Sequence, residues 1–448
     1  MFKKVFIANR GEIALRIIRS CKELGLKSVI GYSEEDANSL PVREADEKIC
    51  IGPPPPSESY LNIPALISAV EITGCEAIHP GYGFLSENIH FVEICEASGI
   101  VFIGPTSENI KLMGDKSLAR KTANSVKVPV IPGCDSCEEC GKAIAFAKKI
   151  GFPVMIKATG GGGGRGMKVV FSEDEFEKAW NTCREEAKIS FDNASLYIEK
   201  YIERPRHVEI QILSDEKGNI IVFPERDCSI QRRHQKLIEE SPSPAVDNKL
   251  RKKLMKYAYK IAKKIKYRNA GTVEFLLDSY KNPYFIEMNT RIQVEHPITE
   301  VITGIDLVRH QILIAEGEPI PFSQDDVKIN GHAIECRINA EDPDNNFLPS
   351  CGVIKKFIPP GGPGVRIDTH IYSGYKVPPY YDSLLAKLIT YGRTRQEAID
   401  KMRRALDEIV IEGVKTTIPL YKKILQHPLF LSGRYYVGWL ENFLNNKS

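Results

Sequence analysis

Apolar and polar residues along this chain switch between a period of two and a period of about 3.6, and the switches mark out its elements. Residues 3–8 (KKVFIA) form a short apolar run of strand character, and Ala14 to Leu24 repeats apolar residues at helical spacing until Gly25 stops it. SVIGYS follows as a second strand, so the chain opens as a doubly wound α/β unit. PPPP at 53–56 is a stiff surface connection, EAIHPGYGFLSEN (76–88) predicts a strand, a glycine-bearing loop and a helix, and IVFIGPTSENIKLMGDKSLAR closes this domain near residue 112.

The middle of the chain alternates more strictly. FPVMIKATGGGGGRGMKVVFS is a strand ending in Lys157, five glycines (Gly160 to Gly164) and a second strand; Ser172 and Glu175 match a capping box for the helix after it. SLYIEKYIERPRHVEIQIL predicts a strand, a connection through Glu199, Lys200, Tyr201 and Ile202, and a strand with His207, Glu209 and Gln211 on one face. A helix from about Asp247 to Arg268 places Leu250, Leu254, Tyr257, Ile261 and Ile265 on one side and lysines on the other. GTVEFLLD (271–278) and PYFIEMN (283–289), separated by a turn-rich DSYKNP, predict a hairpin that sets Glu274 opposite Glu287. Read as one extended strand, Ile286 to His296 (IEMNTRIQVEH) collects Glu287, Asn289, Arg291, Gln293 and Glu295 on one face. After Gly317 the text is β-rich, with Glu335, Arg337 and Asn339 on one face and a final helix near 395–410.

Composition and charge narrow the class. The 448 residues leave room for roughly three domains of ~150 residues, each with its own core. A net charge of +3 argues for neither nucleic acid nor a membrane surface. Eleven cysteines without a framework spacing, too short an apolar start for a signal peptide, and no run of about 20 apolar residues place the chain in the cytoplasm. Cys134, Cys137 and Cys140 have metal-site spacing but no nearby fourth ligand, which favours a loop and helix start carrying three thiols over zinc.

The polar faces define the candidate chemistry. Like charges facing each other on a sheet destabilise it unless a cation lies between them, and carboxylate and amide oxygens suit Mg²⁺ or Mn²⁺, so Glu274, Glu287 and Asn289 are candidate metal ligands. The turn NRGEIA lacks the dinucleotide fingerprint, and the glycine run lacks the Lys-Ser/Thr of a Walker A loop and leads into a strand; a glycine hairpin can still lay its N–H groups along a polyphosphate and close as a lid. Lys116 is either an anion ligand or a solvated helix residue. Arg226, Gln231, Arg232, Arg233, His234 and Lys236 form a donor cluster that binds oxyanions or pairs with buried acids, and the metal hairpin favours oxyanions.

The segments MIKATGGGGGRGM, EKYIERPRHVEIQ, ERDCSIQRRHQK, MNTRIQVEHPITE, GHAIECRINAEDP and PPYYDSLLAKL closely resemble the biotin carboxylase family of the ATP-grasp superfamily, and the match runs from NRGEIA to IEGVKT. The resemblance implies a Rossmann-like α/β amino-terminal domain (1–112), a two-lobed ATP-grasp body (113–320, lid lobe about 130–203) and a β-rich carboxyl-terminal domain (330–440). It implies carboxylation of biotin from bicarbonate and ATP with two Mg²⁺ or Mn²⁺ ions. It carries over a nucleotide site of Lys116, Lys157, Gly163, Gly164, Glu199, Lys200, Tyr201, Ile202, His207, Gln231 and His234, with Glu274 and Glu287 reached through the metal. Lys236, Arg291, Gln293 and Val294 would hold bicarbonate, Glu295 would be the general base, and Arg337 would face biotin. No Ala-Met-Lys-Met attachment motif occurs in the sequence, so a separate biotin carboxyl carrier protein and a carboxyltransferase are expected as partners, together with a homodimer. The parent complex is expected to be an acetyl-CoA carboxylase, with pyruvate or propionyl-CoA carboxylase as alternatives. Another ATP-grasp carboxylate ligase, more distant, would have no use for Arg337.

Overall fold

The computed structural model describes residues 2–137, 139–158, 167–191 and 196–445. Strands β1 (Lys4–Ile7), β2 (Lys27–Ser33), β3 (Glu47–Gly52), β4 (Ala77–His79) and β5 (Val101–Phe102) form a parallel sheet in the order β3-β2-β1-β4-β5. Val5, Phe6 and Ile7 are buried on both faces, as the unbroken apolar run requires. The first helix spans Gly11–Leu24 and ends on Gly25 in the left-handed conformation, φ 72°. It begins three residues before the predicted start. Glu12 reads as a polar interruption, but it is buried against the Lys387 ammonium at 3.1 Å.

A second sheet, antiparallel, is built from β6 (Gly133–Cys137), β7 (Val154–Ala158), β8 (Met167–Val170) and β9 (Leu196–Lys200) in the order β6-β9-β7-β8. β7 and β8 pair as the expected hairpin, Lys157 opposite Met167; the glycine run with Gly163 and Gly164 lies outside the described residues. The following helix starts at Phe176, later than the predicted cap at Ser172, and Glu175 reaches back to the Phe171 N–H at 3.3 Å. Cys134 and Cys140 pack half-buried against the cluster of Ala143, Val154 and Trp180.

The third sheet is the largest and holds the candidate chemistry. Strands β10 (Arg206–Ser214), β11 (Ile220–Arg232), β12 (Gln235–Ser241), β13 (Asn269–Leu277), β14 (Pro283–Asn289) and β15 (His332–Asn339) join Leu384–Gly392 and Val365–Thr369 in the order β14-β13-β10-β11-β12-β15, then 384–392, then 365–369. Every neighbouring pair is antiparallel. β12 and β15 pair from Ile238 opposite Cys336 to Ser241 opposite Ala333, so one sheet continues across residues 320–330. The helix Asn248–Lys264, capped by Asp247 accepting from the Leu250 N–H at 2.8 Å, packs Leu250, Leu254 and Ile261 on Val208, Ile210 and Val222.

The reading of Ile286 to His296 as one strand is wrong in its second half. β14 ends at Asn289, because the Thr290 N–H and hydroxyl both donate to Glu87 of the first domain, at 2.9 and 3.1 Å, and draw the chain off the sheet. Glu295 then sits at the amino-terminal boundary of the helix His296–Thr303, with Pro297 in its first turn.

His79 closes β4 in full burial, its Nδ1 accepting the Gly81 N–H at 3.1 Å. Burial, with Arg16 nearby, lowers its pKa to about 3. A folded value below the unfolded one, near 6.5, stabilises the fold above pH 6.5 and loses that contribution as pH falls from there. Comparison of urea midpoints should therefore show the stability of wild type relative to His79→Gln declining by about 2 kcal/mol between pH 8 and pH 5; a pH-independent difference would mean that His79 takes up its proton in the folded state.

Candidate active site

One row of residues crosses the large sheet. Arg226 on β11 lies opposite Glu209 on β10, Glu209 opposite Glu274 on β13, and Glu274 opposite Glu287 on β14. Three carboxylates in adjacent strands repel one another unless cations are set among them. Lys236, from β12, supplies one: its Nζ donates to Glu209 at 2.6 Å, to Glu274 at 3.0 Å and to Glu295 at 2.7 Å. Arg226 supplies a second from below. It is wholly buried and donates to Glu209, to Gln211 at 2.9 Å, Thr299 at 3.0 Å, Thr272 at 3.2 Å and Gln293 Oε1 at 2.7 Å.

Glu295 joins the two ends of the site. Its Oε1 accepts from Lys236 and its Oε2 from Arg337 Nη2 at 2.8 Å, while Arg337 Nε donates to Glu239 at 2.6 Å. Burial alone would raise the Glu295 carboxyl, but Lys236 and Arg337 outweigh it and hold it well below the usual carboxylate range. Glu239 goes the other way: burial raises it to about 7, against the pull of Arg337. Glu274 is held low against burial by Lys236 and by His207, whose Nε2 lies 2.8 Å away. It also accepts from Asn289 at 2.7 Å and Gln293 at 2.8 Å.

Burial raises Glu209 against the pull of Arg226 and Lys236, and Glu287 is raised without an ion pair among the described residues to oppose it. Burial and the neighbouring Glu274 raise its pKa, and Lys116, exposed at the start of the helix Lys116–Ser125, opposes this only from a distance. A carboxylate left short of positive charge beside a second carboxylate and the Asn289 amide is a donor set for a hard divalent cation. The Glu274, Glu287 and Asn289 side chains fit that group.

Other predicted site residues lie farther out. Arg291 does not touch Lys236 or Glu295; its Nε donates to Glu87 at 2.8 Å and its Nη2 to Asn289 Oδ1 at 3.2 Å. Val294 is half-buried between Gln293 and Glu295. Gln231 bonds His207 at 2.8 Å and so fixes the imidazole over Glu274. His234 is exposed in the β11–β12 turn with φ 66°. Lys157 and Glu199 pair within the small sheet, Lys200 donates to the Gly151 and Phe152 carbonyls at 3.0 and 2.9 Å, and Tyr201 and Ile202 follow half-buried. Arg226 pairs with buried acids, contrary to the oxyanion reading of its cluster, while Arg232 reaches Asn346 at 2.7 Å. Sequence reasoning missed Glu209, Glu239 and Glu87 as site residues. Only Glu209 carried a signal, from its place between His207 and Gln211 on one strand face.

Family models match the whole arrangement in sequence: biotin carboxylase, N-terminal domain, over residues 1–110; carbamoyl-phosphate synthase L chain, ATP binding domain, over 115–323; and biotin carboxylase C-terminal domain over 335–442. A biotin carboxylase from Nostoc sp. is 55% identical over 441 residues, covering 98% of this chain and 99% of the relative. The chain belongs to the biotin carboxylase family. A biotin carboxylase complex with β,γ-ATP from Campylobacter jejuni superposes with a TM-score of 0.93 at 51% identity, covering 99% of each chain. The biotin carboxylase domain dimer of Hydrogenobacter thermophilus 2-oxoglutarate carboxylase, solved with MgADP, ADP and bicarbonate, gives 0.91 at 48% identity, covering 99% of this chain and 98% of the other.

Arg226 is the support on which the row rests. Arg226→Leu leaves Glu209 buried with Lys236 as its one remaining cation and is expected to cost about 3–5 kcal/mol in urea denaturation. Adding Glu209→Gln should recover part of that loss; no recovery would show that the pair does not act through charge.

Proposed function

We propose that this chain carboxylates biotin borne on a separate carrier protein, using ATP and bicarbonate, and forms carboxybiotin, ADP and phosphate through carboxyphosphate. The single observation that carries the reading is Glu295 held between Lys236 at 2.7 Å and Arg337 at 2.8 Å, a base placed between an anion-binding cation and a second arginine. Bicarbonate, held by Lys236 with Gln293, Val294 and Arg291, adds negative charge beside Glu295 and raises its proton affinity from the low resting value. Glu295 then takes the bicarbonate proton as the oxygen attacks the γ-phosphoryl group. ADP leaves and the carboxyphosphate so formed breaks its O–C bond to CO₂ and phosphate; Arg337, released from Glu295 as that carboxyl is protonated, turns its guanidinium to the ureido oxygen of biotin and stabilises the enolate that forms when the phosphate removes the ureido proton, and the ureido nitrogen then adds to CO₂.

The nucleotide lies between the two antiparallel sheets in this reading, with Lys116, Lys157, His207, Gln231 and His234 toward its phosphates and ribose and Glu199 to Ile202 along the purine; Gly163 and Gly164, outside the described residues, complete the proposed nucleotide set. Glu274, Glu287 and Asn289 would hold the two Mg²⁺ or Mn²⁺ ions, which would supply neutralisation of the phosphate oxygens. Three units follow from the same assignment: 1–112, 113–320 with a lid lobe at about 130–203, and 330–440. A homodimer, a separate carboxyltransferase and a cytoplasmic setting complete the proposal, with acetyl-CoA carboxylase as the parent complex. Among the described residues no helix is long and apolar enough to cross a membrane.

Two measurements test the assignment. ADP release in Glu287→Gln across a magnesium titration is expected to fall steeply at low Mg²⁺, and wild-type behaviour throughout would contradict the ligand set. ADP release with bicarbonate, with and without free biotin, separates the arginines. Arg337→Ala should lower the biotin-dependent rate far more than the slow biotin-independent one. Arg291→Ala should lower both together, by about 2.7–4 kcal/mol. Equal proportional losses in the two variants would mean that the roles are divided wrongly.

A further inference from the structure

Lys387 is a fully buried lysine that the mechanism above does not use. It lies on the strand Leu384–Gly392, directly opposite Arg337 on one side and Asp368 on the other. Its Nζ donates to the backbone carbonyl of Val294 at 3.0 Å and faces Glu12 at 3.1 Å and Asp368 at 3.9 Å. Glu12 lies in the first turn of the helix Gly11–Leu24. It is itself buried and also accepts from the Tyr82 hydroxyl. Asp368 is held low against burial by Arg366, which chelates it through Nε at 2.8 Å and Nη2 at 2.7 Å.

The carbonyl that Lys387 holds lies between two side chains of the bicarbonate site. Gln293 is fixed by Arg226 and Glu274, and Glu295 by Lys236 and Arg337. Both anchors act through side chains, and Thr290 to Glu295 has left the sheet; the Gln293 carbonyl accepts from the His296 N–H at 3.3 Å, and the next carbonyl, that of Val294, is held by Lys387. A buried ammonium on one carbonyl is a charge-assisted hydrogen bond in a low-dielectric setting, among the stronger single constraints a protein can place on a loop.

We propose that Lys387 is a positioning residue for bicarbonate: it sets the Gln293–Glu295 backbone through the Val294 carbonyl, while Glu12 balances its charge and so ties the first domain to the bicarbonate loop. The inference rests on the bicarbonate assignment of Gln293, Val294 and Glu295. Removing the ammonium leaves the nucleotide residues in place but lets the loop drift, so the loss falls on bicarbonate.

Lys387→Met alone leaves Glu12 buried and uncompensated and can fail to fold for that reason. The decisive variant is therefore the double change Lys387→Met with Glu12→Gln, which removes both charges and keeps the volumes. Steady-state ADP release with free biotin should show the KM for bicarbonate raised about tenfold, equivalent to ~1.4 kcal/mol, with the KM for ATP within twofold of wild type. A wild-type bicarbonate KM in the double variant would overturn the proposal, as would equal rises for bicarbonate and ATP, since a merely structural defect weakens both. Gln293→Ala distinguishes the two levels of the argument. If it raises the bicarbonate KM and the double variant does not, the Lys387 role alone is wrong; if Gln293→Ala leaves it unchanged, the bicarbonate assignment beneath the proposal fails.

Discussion

Everything in the site depends on how three buried glutamates are paired with cations inside the protein. Glu209, Glu274 and Glu295 are almost wholly buried and converge on one ammonium, with Arg226 and Arg337 closing the cluster on either side. Taking such charges out of water costs several kcal/mol each, and a cluster repays this only if every lone pair and proton finds a partner. That requirement explains why so many elements meet here. Lys236 comes from β12, Arg226 from β11, Glu209 from β10, Glu274 from β13, Arg337 from β15 and Glu295 from the start of a helix. None of these strands could shift by one residue without turning its charge out of the cluster.

The same cluster makes the active site reversible in charge. A carboxylate at rest between two cations is a weak base, but a second anion entering beside Lys236 competes for that ammonium and frees the carboxylate to take a proton. In the proposed mechanism acid strength is thus set by occupancy, and the guanidinium released by that step becomes available to the second substrate. Glu287, with burial and Glu274 raising it and no close cation to offset them, is the complementary case: an acid whose environment becomes favourable only when a divalent cation arrives.

Continuity of the large sheet links these events to the rest of the fold. Because β12 pairs with β15, and β15 with Leu384–Gly392, the strand that carries Lys236 is two ladders away from the one that carries Lys387. The first domain enters from the side, through Glu87 on Arg291 and Glu12 on Lys387. The loop from Thr290 to Glu295 is therefore held by residues of all three parts of the chain, which makes its geometry a property of the assembled fold.

The sequence by itself determined the periodic elements and one register. Apolar alternation and the DSYKNP turn place Glu274 opposite Glu287, and they do so because a hairpin's turn fixes its pairing locally. It likewise determined the family, because the long motifs are short-range patterns of residue identity. The end of β14, the start of the first helix and the role of Arg226 were decided by tertiary structure. Each depends on a partner distant in the chain: Glu87 draws Thr290 off the sheet, Lys387 makes Glu12 a buried residue, and Glu209, Thr299 and Gln293 turn an arginine read as an oxyanion donor into the floor of the site. Local periodicity records whether a side chain is polar. It does not record whether another charge, hundreds of residues away, will meet that side chain in a dry interior, and in this protein that meeting decides where strands stop and which charges do the chemistry.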